Sequence, residues 1–138
     1  MNPALFEPQM TIKEVHAMSA LALAHIGDGV FELLVRTQLC LEGGSTNHRL
    51  HQDTVKLVRA TSQAAFAEKL LPLLSQEEQS FYRRGRNAHP HGLPKNVSAV
   101  QYAKATGLEA LFGALYLLGQ RERVLELFSV LWEVSHAL

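Results

Sequence analysis

Cysteine is nearly missing from this chain: of 138 residues only Cys40 is one, which excludes an internal disulfide framework and a multi-cysteine zinc site. Long apolar runs are missing too. A stretch such as Ala20 to Ile26 is broken by Gly27 and Asp28, well short of the length that spans a bilayer. Met1-Asn2-Pro3 has neither the basic start nor the apolar core of a secretory leader. Net charge is absent as well, 13 basic residues balancing 13 acidic ones, so no global field draws the chain to nucleic acid. No internal repeat or low-complexity tract appears. With 47% hydrophobic and 19% charged residues the composition is that of an ordinary globular protein. These features predict one soluble, cytoplasmic domain over residues 1–138, with no membrane partner.

One absence is local. Between Glu78 and Glu109 there is no acidic residue, while Arg83, Arg84, Arg86, Lys95 and Lys104 all fall in that interval with His89 and His91. Residues 1–42 lean the other way, with Glu7, Glu14, Asp28, Glu32 and Glu42 against Lys13 and Arg36. Segregated charge of this kind presents a local positive field to phosphates in a protein that is neutral overall. A solvated basic loop is the plainer alternative, and charge pattern alone does not separate the two.

What is present is helical periodicity. Apolar residues recur three and four apart in Ala17–Leu41, Leu57–Leu74, Val97–Leu118 and Val124–Leu138, and no stretch alternates as a strand does. Gly43-Gly44-Ser45-Thr46-Asn47 stops one helix and offers a cap to the next. Pro72 disrupts the end of the second segment. Ser75-Gln76-Glu77-Glu78 is a capping box that starts a short helix towards Arg84. Residues 85–97 hold two glycines, two prolines and two asparagines and read as an exposed loop; Gly119 closes the following helix. The predicted architecture is all-α, a bundle of about five to seven helices around one core.

Two acids stand in unfavourable places. Asp28 interrupts an apolar helix between Gly27 and Gly29, although each glycine costs about 1 kcal/mol against alanine there. Glu109 occupies a similar setting in Thr106-Gly107-Leu108-Glu109-Ala110-Leu111-Phe112-Gly113. A desolvated carboxylate is costly without a partner. Small residues allow two such helices to cross closely with Asp28 and Glu109 meeting there. Two like charges then call for a cation, and an all-oxygen ligand set favours Mg²⁺ or Mn²⁺. Taken singly, each acid is equally an exposed carboxylate or one paired with an arginine. Glu32 and Arg36, four apart, make an ordinary helix pair.

At these residues the chain resembles the ribonuclease III family. Ile26-Gly27-Asp28-Gly29-Val30 is similar to the family's signature helix, and Glu109-Ala110-Leu111-Phe112-Gly113-Ala114-Leu115-Tyr116-Leu117 to its second metal-binding motif, about eighty residues downstream as in that catalytic domain. Arg83-Arg84-Gly85-Arg86-Asn87-Ala88 and Pro94-Lys95-Asn96 resemble the loop of a compact subgroup that lacks a double-stranded-RNA-binding domain. Full-length members carry two more acids, four residues before the aspartate and three before the glutamate; Ala24 and Thr106 stand there. The compact subgroup resembles this chain in that reduction, which makes one magnesium ion per subunit the expectation rather than two.

The resemblance implies a magnesium-dependent endoribonuclease that cuts double-stranded RNA and leaves a 5′-phosphate, with Asp28 and Glu109 as catalytic and metal-holding residues and Mn²⁺ as a substitute ion. It implies a homodimer, with His25 either at the interface or, equally, a satisfied core or surface histidine, and a precursor of large-subunit ribosomal RNA as substrate, in a pre-ribosome or ribosomal-protein context. Arg83, Arg84, Arg86 and Lys95 are then expected to touch phosphates, with Asn87, Asn96 and Lys104 as further RNA contacts and residues 85–96 entering a groove. The rival from another class is a non-catalytic RNA-binding or dimerisation module on the same fold. The pairs His48/His51 and His89/His91 lack zinc-site partners and read as exposed histidines. Tyr82 and Tyr102 flank the basic stretch, either beside the RNA path or half in the core; Trp132 is a core or interface anchor.

Overall fold

The computed structural model describes residues 1–44, 46–88, 92–93 and 95–137. Among them are seven α-helices and no strand: α1 (Ile12–Ala17), α2 (Ala20–Glu42), α3 (Asn47–Val58), α4 (Ala60–Leu70), α5 (Gln76–Arg86), α6 (Ala99–Leu117) and α7 (Arg121–Ala137). The all-α expectation holds. None of these helices is long and apolar enough to cross a membrane.

Local chemistry sets most helix starts. Thr11, Ser19, Thr46, Ser75 and Ser98 each accept a hydrogen bond from a first-turn N–H, capping α1, α2, α3, α5 and α6. At Ser75 the box is reciprocal, Glu78 accepting from the Ser75 N–H at 2.8 Å. Pro72 falls in a short 3₁₀ turn, Leu71–Leu73, after α4 ends. The segment read as one helix from Leu57 to Leu74 is two: Arg59 is extended (φ −66°, ψ 154°) and separates α3 from α4. No glycine or proline marks that break.

α6 is the central helix, with ten buried residues from Ala105 to Leu115. On one side Phe31 of α2 meets Phe112 edge-on at 5.6 Å between centroids and Phe128 of α7 at 6.2 Å. Trp132 stacks on Phe128, anchoring α7. On the other side Val15, Leu23, Phe81, Ala110 and Ala114 form a second cluster. α7 is also held by a partly buried ion pair: Arg123 grips Glu78 through Nε at 2.8 Å and Nη2 at 2.9 Å, and Nη2 also donates to the Leu73 carbonyl.

Gly85 corrects one sequence expectation. It lies inside α5, not in a loop, and a Cβ there would come within 2.8 Å of the Gly107 Cα and 2.7 Å of the Ala110 Cβ. This glycine lets α5 press against α6. The irregular segment therefore starts after Arg86; His89, Pro90, His91 and Pro94 lie outside the described residues.

Candidate active site

The crossing of α2 and α6 explains the two acids. A Cβ on Gly27 would sit 1.6 Å from the Glu109 carbonyl oxygen, and one on Gly113 would sit 2.0 Å from the Leu23 carbonyl oxygen. Backbone thus touches backbone, and neither position accepts a side chain. Asp28 follows Gly27 directly, so the same contact that excludes a Cβ delivers its carboxylate to Glu109.

The two carboxyl groups share a hydrogen bond at the wall of an open cleft of about 400 Å³. Burial first, then the hydrogen bond and charge of Asp28, push the Glu109 carboxyl up to about 9. Among the described residues neither acid is in an ion pair with a lysine or arginine. Burial and the facing Asp28 carboxyl thus favour the protonated form of Glu109 near neutral pH.

The donor set fits a hard divalent ion: two carboxylates at hydrogen-bonding distance, uncompensated, beside open space. No group of three His, Cys, Asp or Glu residues able to hold a metal occurs among the described residues. Ala24 and Thr106 both line the cleft, and the Thr106 hydroxyl donates to the Tyr102 carbonyl at 3.0 Å. The two positions at which the resemblance would place further acids thus line the cleft, and here bring no charge. A Mg²⁺ ion with few protein ligands keeps several waters, which suits two carboxylates in an open cleft.

The basic residues divide. Arg83 and Arg86 are exposed on the last turn of α5, Arg86 lying 5.8 Å over the buried Tyr82 ring. Asn87, Lys95 and Asn96 lie beyond it towards solvent, Asn96 with φ 64°. Arg84 turns inward instead, and its Nη2 donates to the Met18 carbonyl at 2.5 Å, tying α5 to the turn before α2. Lys104 pairs with Glu68 of α4. These two cations are engaged within the protein, which counts against Arg84 and Lys104 as phosphate contacts. His25 is exposed, and it lines the Asp28–Glu109 cleft rather than only an outer face. Tyr102 lines the cleft too, whereas the Tyr82 ring is in the core.

Two features escaped the sequence reading. His51, Lys56 and Arg59 gather at a second surface concavity by the end of α3. Gln63, only 2% exposed, lines the acid cleft. Its signal was available: Gln63 shares a stripe with Phe66, Ala67 and Leu70, all buried, and is the one polar member.

Residues 21–120 match the family model described as the Ribonuclease III domain, a span that contains both acids and every helix that lines the cleft. The chain belongs to the ribonuclease III family, and the class of activity is that of a ribonuclease. Within it the relatives are compact. The chain is 46% identical over 106 residues to Mini-ribonuclease 3 of Symbiobacterium thermophilum, covering 77% of this chain and 82% of that one. It is 43% identical over 115 residues to Mini-ribonuclease 3 of Thermoanaerobacter sp., covering 83% and 81%. A crystal structure of a protein from Fusobacterium nucleatum superposes with a TM-score of 0.77 at 27% identity, covering 91% of this chain and 98% of that one.

Proposed function

We propose that this chain is a divalent-metal-dependent endoribonuclease that cuts double-stranded RNA and leaves a 5′-phosphate. The observation that carries the reading is the uncompensated Asp28–Glu109 pair, fixed by a backbone crossing at the wall of an open cleft. Asp28 and Glu109 hold the ion, Mg²⁺ in the first instance and Mn²⁺ as its substitute. Bound there, the ion offsets charge on the scissile phosphate and activates a water for in-line attack. The chain itself supplies the rest. The packed crossing holds the backbone of both acids in place, and Glu109 would have to be deprotonated to hold an ion beside Asp28. Arg83, Arg86 and Lys95, with Asn87 and Asn96, offer donors to phosphates and 2′-hydroxyls, the groups through which an A-form duplex is read.

The unit of action is a homodimer. Ile26, Gly29, Val30 and Leu33 of α2, with Leu125 of α7, line an apolar groove of about 580 Å³, and Leu33 is 57% exposed. A second copy on this groove would place two clefts on one particle, one for each RNA strand. The substrate proposed from the family resemblance is a precursor of large-subunit ribosomal RNA, met in a pre-ribosomal context in the cytoplasm.

The test is incubation of purified protein with long double-stranded RNA, with Mg²⁺ or with chelator. Mg²⁺-dependent cleavage that disappears in Asp28→Asn and in Glu109→Gln is the expected result. RNA binding without cleavage under any divalent ion would overturn the reading in favour of a non-catalytic module.

A further inference from the structure

Of the three tyrosines, two have a use within the fold. The Tyr116 hydroxyl donates to the Leu5 carbonyl, and the Tyr82 ring is packed in the core beneath Arg86. Tyr102 differs. It is half-buried at the wall of the Asp28–Glu109 cleft, and among the described residues its hydroxyl has no hydrogen-bond partner. That oxygen is not among the enclosed polar atoms, so it is open to solvent.

Helix register fixes where this hydroxyl stands. Tyr102, Ala105, Thr106 and Glu109 all line the cleft from α6, one face of one helix. Seven residues separate Tyr102 from Glu109, a rise of about 10 Å, and helical side chains lean towards the N-terminus. The phenol therefore lies a nucleotide's reach from the acid pair, beside the reacting phosphate and not on it.

The rest of the lining decides what such a group can read. The acids of the cleft are Asp28 and Glu109, and no lysine or arginine among the described residues lines it. Apart from a bound ion, nothing there draws a phosphate. Leu21, Ala24, Val58, Ala60 and Ala105 make the wall apolar. A ribose matches this surface, with a C–H face and a 2′-hydroxyl that donates and accepts at one atom. A phenol oxygen does both as well, whereas the His25 imidazole divides the two roles between separate nitrogens. The Thr106 hydroxyl is buried and already donates to the Tyr102 carbonyl.

We propose that Tyr102 is a substrate-binding residue that reads a ribose 2′-hydroxyl beside the scissile phosphate. The cleft itself, and not only the basic residues outside it, then distinguishes RNA from DNA. The proposal rests on the double-stranded-RNA reading above and names the group that its cleft recognises.

One competition assay tests it. Cleavage of a labelled RNA duplex in Mg²⁺ gives kcat/KM. An unlabelled duplex of the same sequence, with fluorine in place of every 2′-hydroxyl, gives an inhibition constant. Fluorine keeps the A-form sugar but cannot donate and is a poor acceptor. Tyr102→Phe removes only the phenol oxygen. It lowers kcat/KM about fivefold, the size of one neutral hydrogen bond, and leaves the inhibition constant of the fluorinated duplex unchanged. An unchanged kcat/KM overturns the proposal. So do equal losses on both duplexes, which would assign the hydroxyl to a phosphate or a base edge. The melting temperature of Tyr102→Phe stays within about 2 °C of the unsubstituted protein; a larger fall would make the hydroxyl structural and overturn the proposal too. If the unsubstituted protein cuts no RNA duplex, the underlying reading is what has failed.

Discussion

The α2–α6 crossing and the basic stretch from Arg83 to Lys104 were both conspicuous in the sequence, and the fold treats them differently. At the crossing, every unusual residue has one physical cause. Gly27 and Gly113 exist because backbone meets backbone, and that contact delivers Asp28 and Glu109 into the cleft. In the basic stretch the shared property was charge, and charge does not fix direction. Of the five cations, Arg83, Arg86 and Lys95 face solvent, Arg84 braces the turn before α2, and Lys104 pairs with Glu68. Packing signals carry position; a run of like charge carries only a tendency until helix register sorts it.

The sharpest way to break this contrast is at the two glycines beside Asp28. Gly27→Ala forces a Cβ into a carbonyl oxygen and should cost about 3 kcal/mol or more, read by urea unfolding. Gly29→Ala meets nothing within 4 Å in the single chain and should leave stability equal or about 0.5–1 kcal/mol higher. Equal losses at both positions would show that the crossing is looser than described.

A second test is the pH dependence of the free protein. Folding raises the Glu109 carboxyl from 4.5 to about 9, so the folded state binds the proton more tightly than the unfolded one. Its contribution is fully present below pH 4.5 and is lost as pH rises towards 9. Melting temperatures in EDTA should therefore fall over that window, and the rise produced by Mg²⁺ should grow across it. In Glu109→Gln both trends should flatten; their persistence would place the titrating group elsewhere.

The two neighbouring arginines give the finer comparison. Arg84→Ala removes a charge-assisted hydrogen bond to a main-chain carbonyl and should cost about 1–3 kcal/mol in stability. Arg83→Ala should change stability by no more than about 0.5 kcal/mol while weakening duplex RNA several-fold and reducing the steepness of its salt dependence. Reversed outcomes would mean that the inward and outward assignments are exchanged.

Most of the fold was legible because helical periodicity and capping residues point the same way at Ser19, Thr46, Ser75 and Ser98. The α3–α4 break was not, since Val58-Arg59-Ala60 contains no helix breaker. Gly85 misled for the opposite reason: a glycine near Asn87 and Pro90 reads as a loop, yet it serves close helix contact. The acid pair was legible because glycine and a carboxylate each weaken an apolar helix, and a close backbone crossing that brings both acids to one cleft accounts for both. Gln63 was visible only as a polar residue on a buried stripe, and stripe register alone does not say which cleft it faces.

The central claim is that Asp28 and Glu109 together hold one divalent ion in exchange for a proton. Isothermal titration of the protein with Mn²⁺ at pH 7, repeated in buffers of different ionisation enthalpy, tests it directly. One ion per chain, with release of about one proton, and loss of binding in Glu109→Gln are the predicted results. Binding that survives Glu109→Gln, or that releases no proton, would contradict the account.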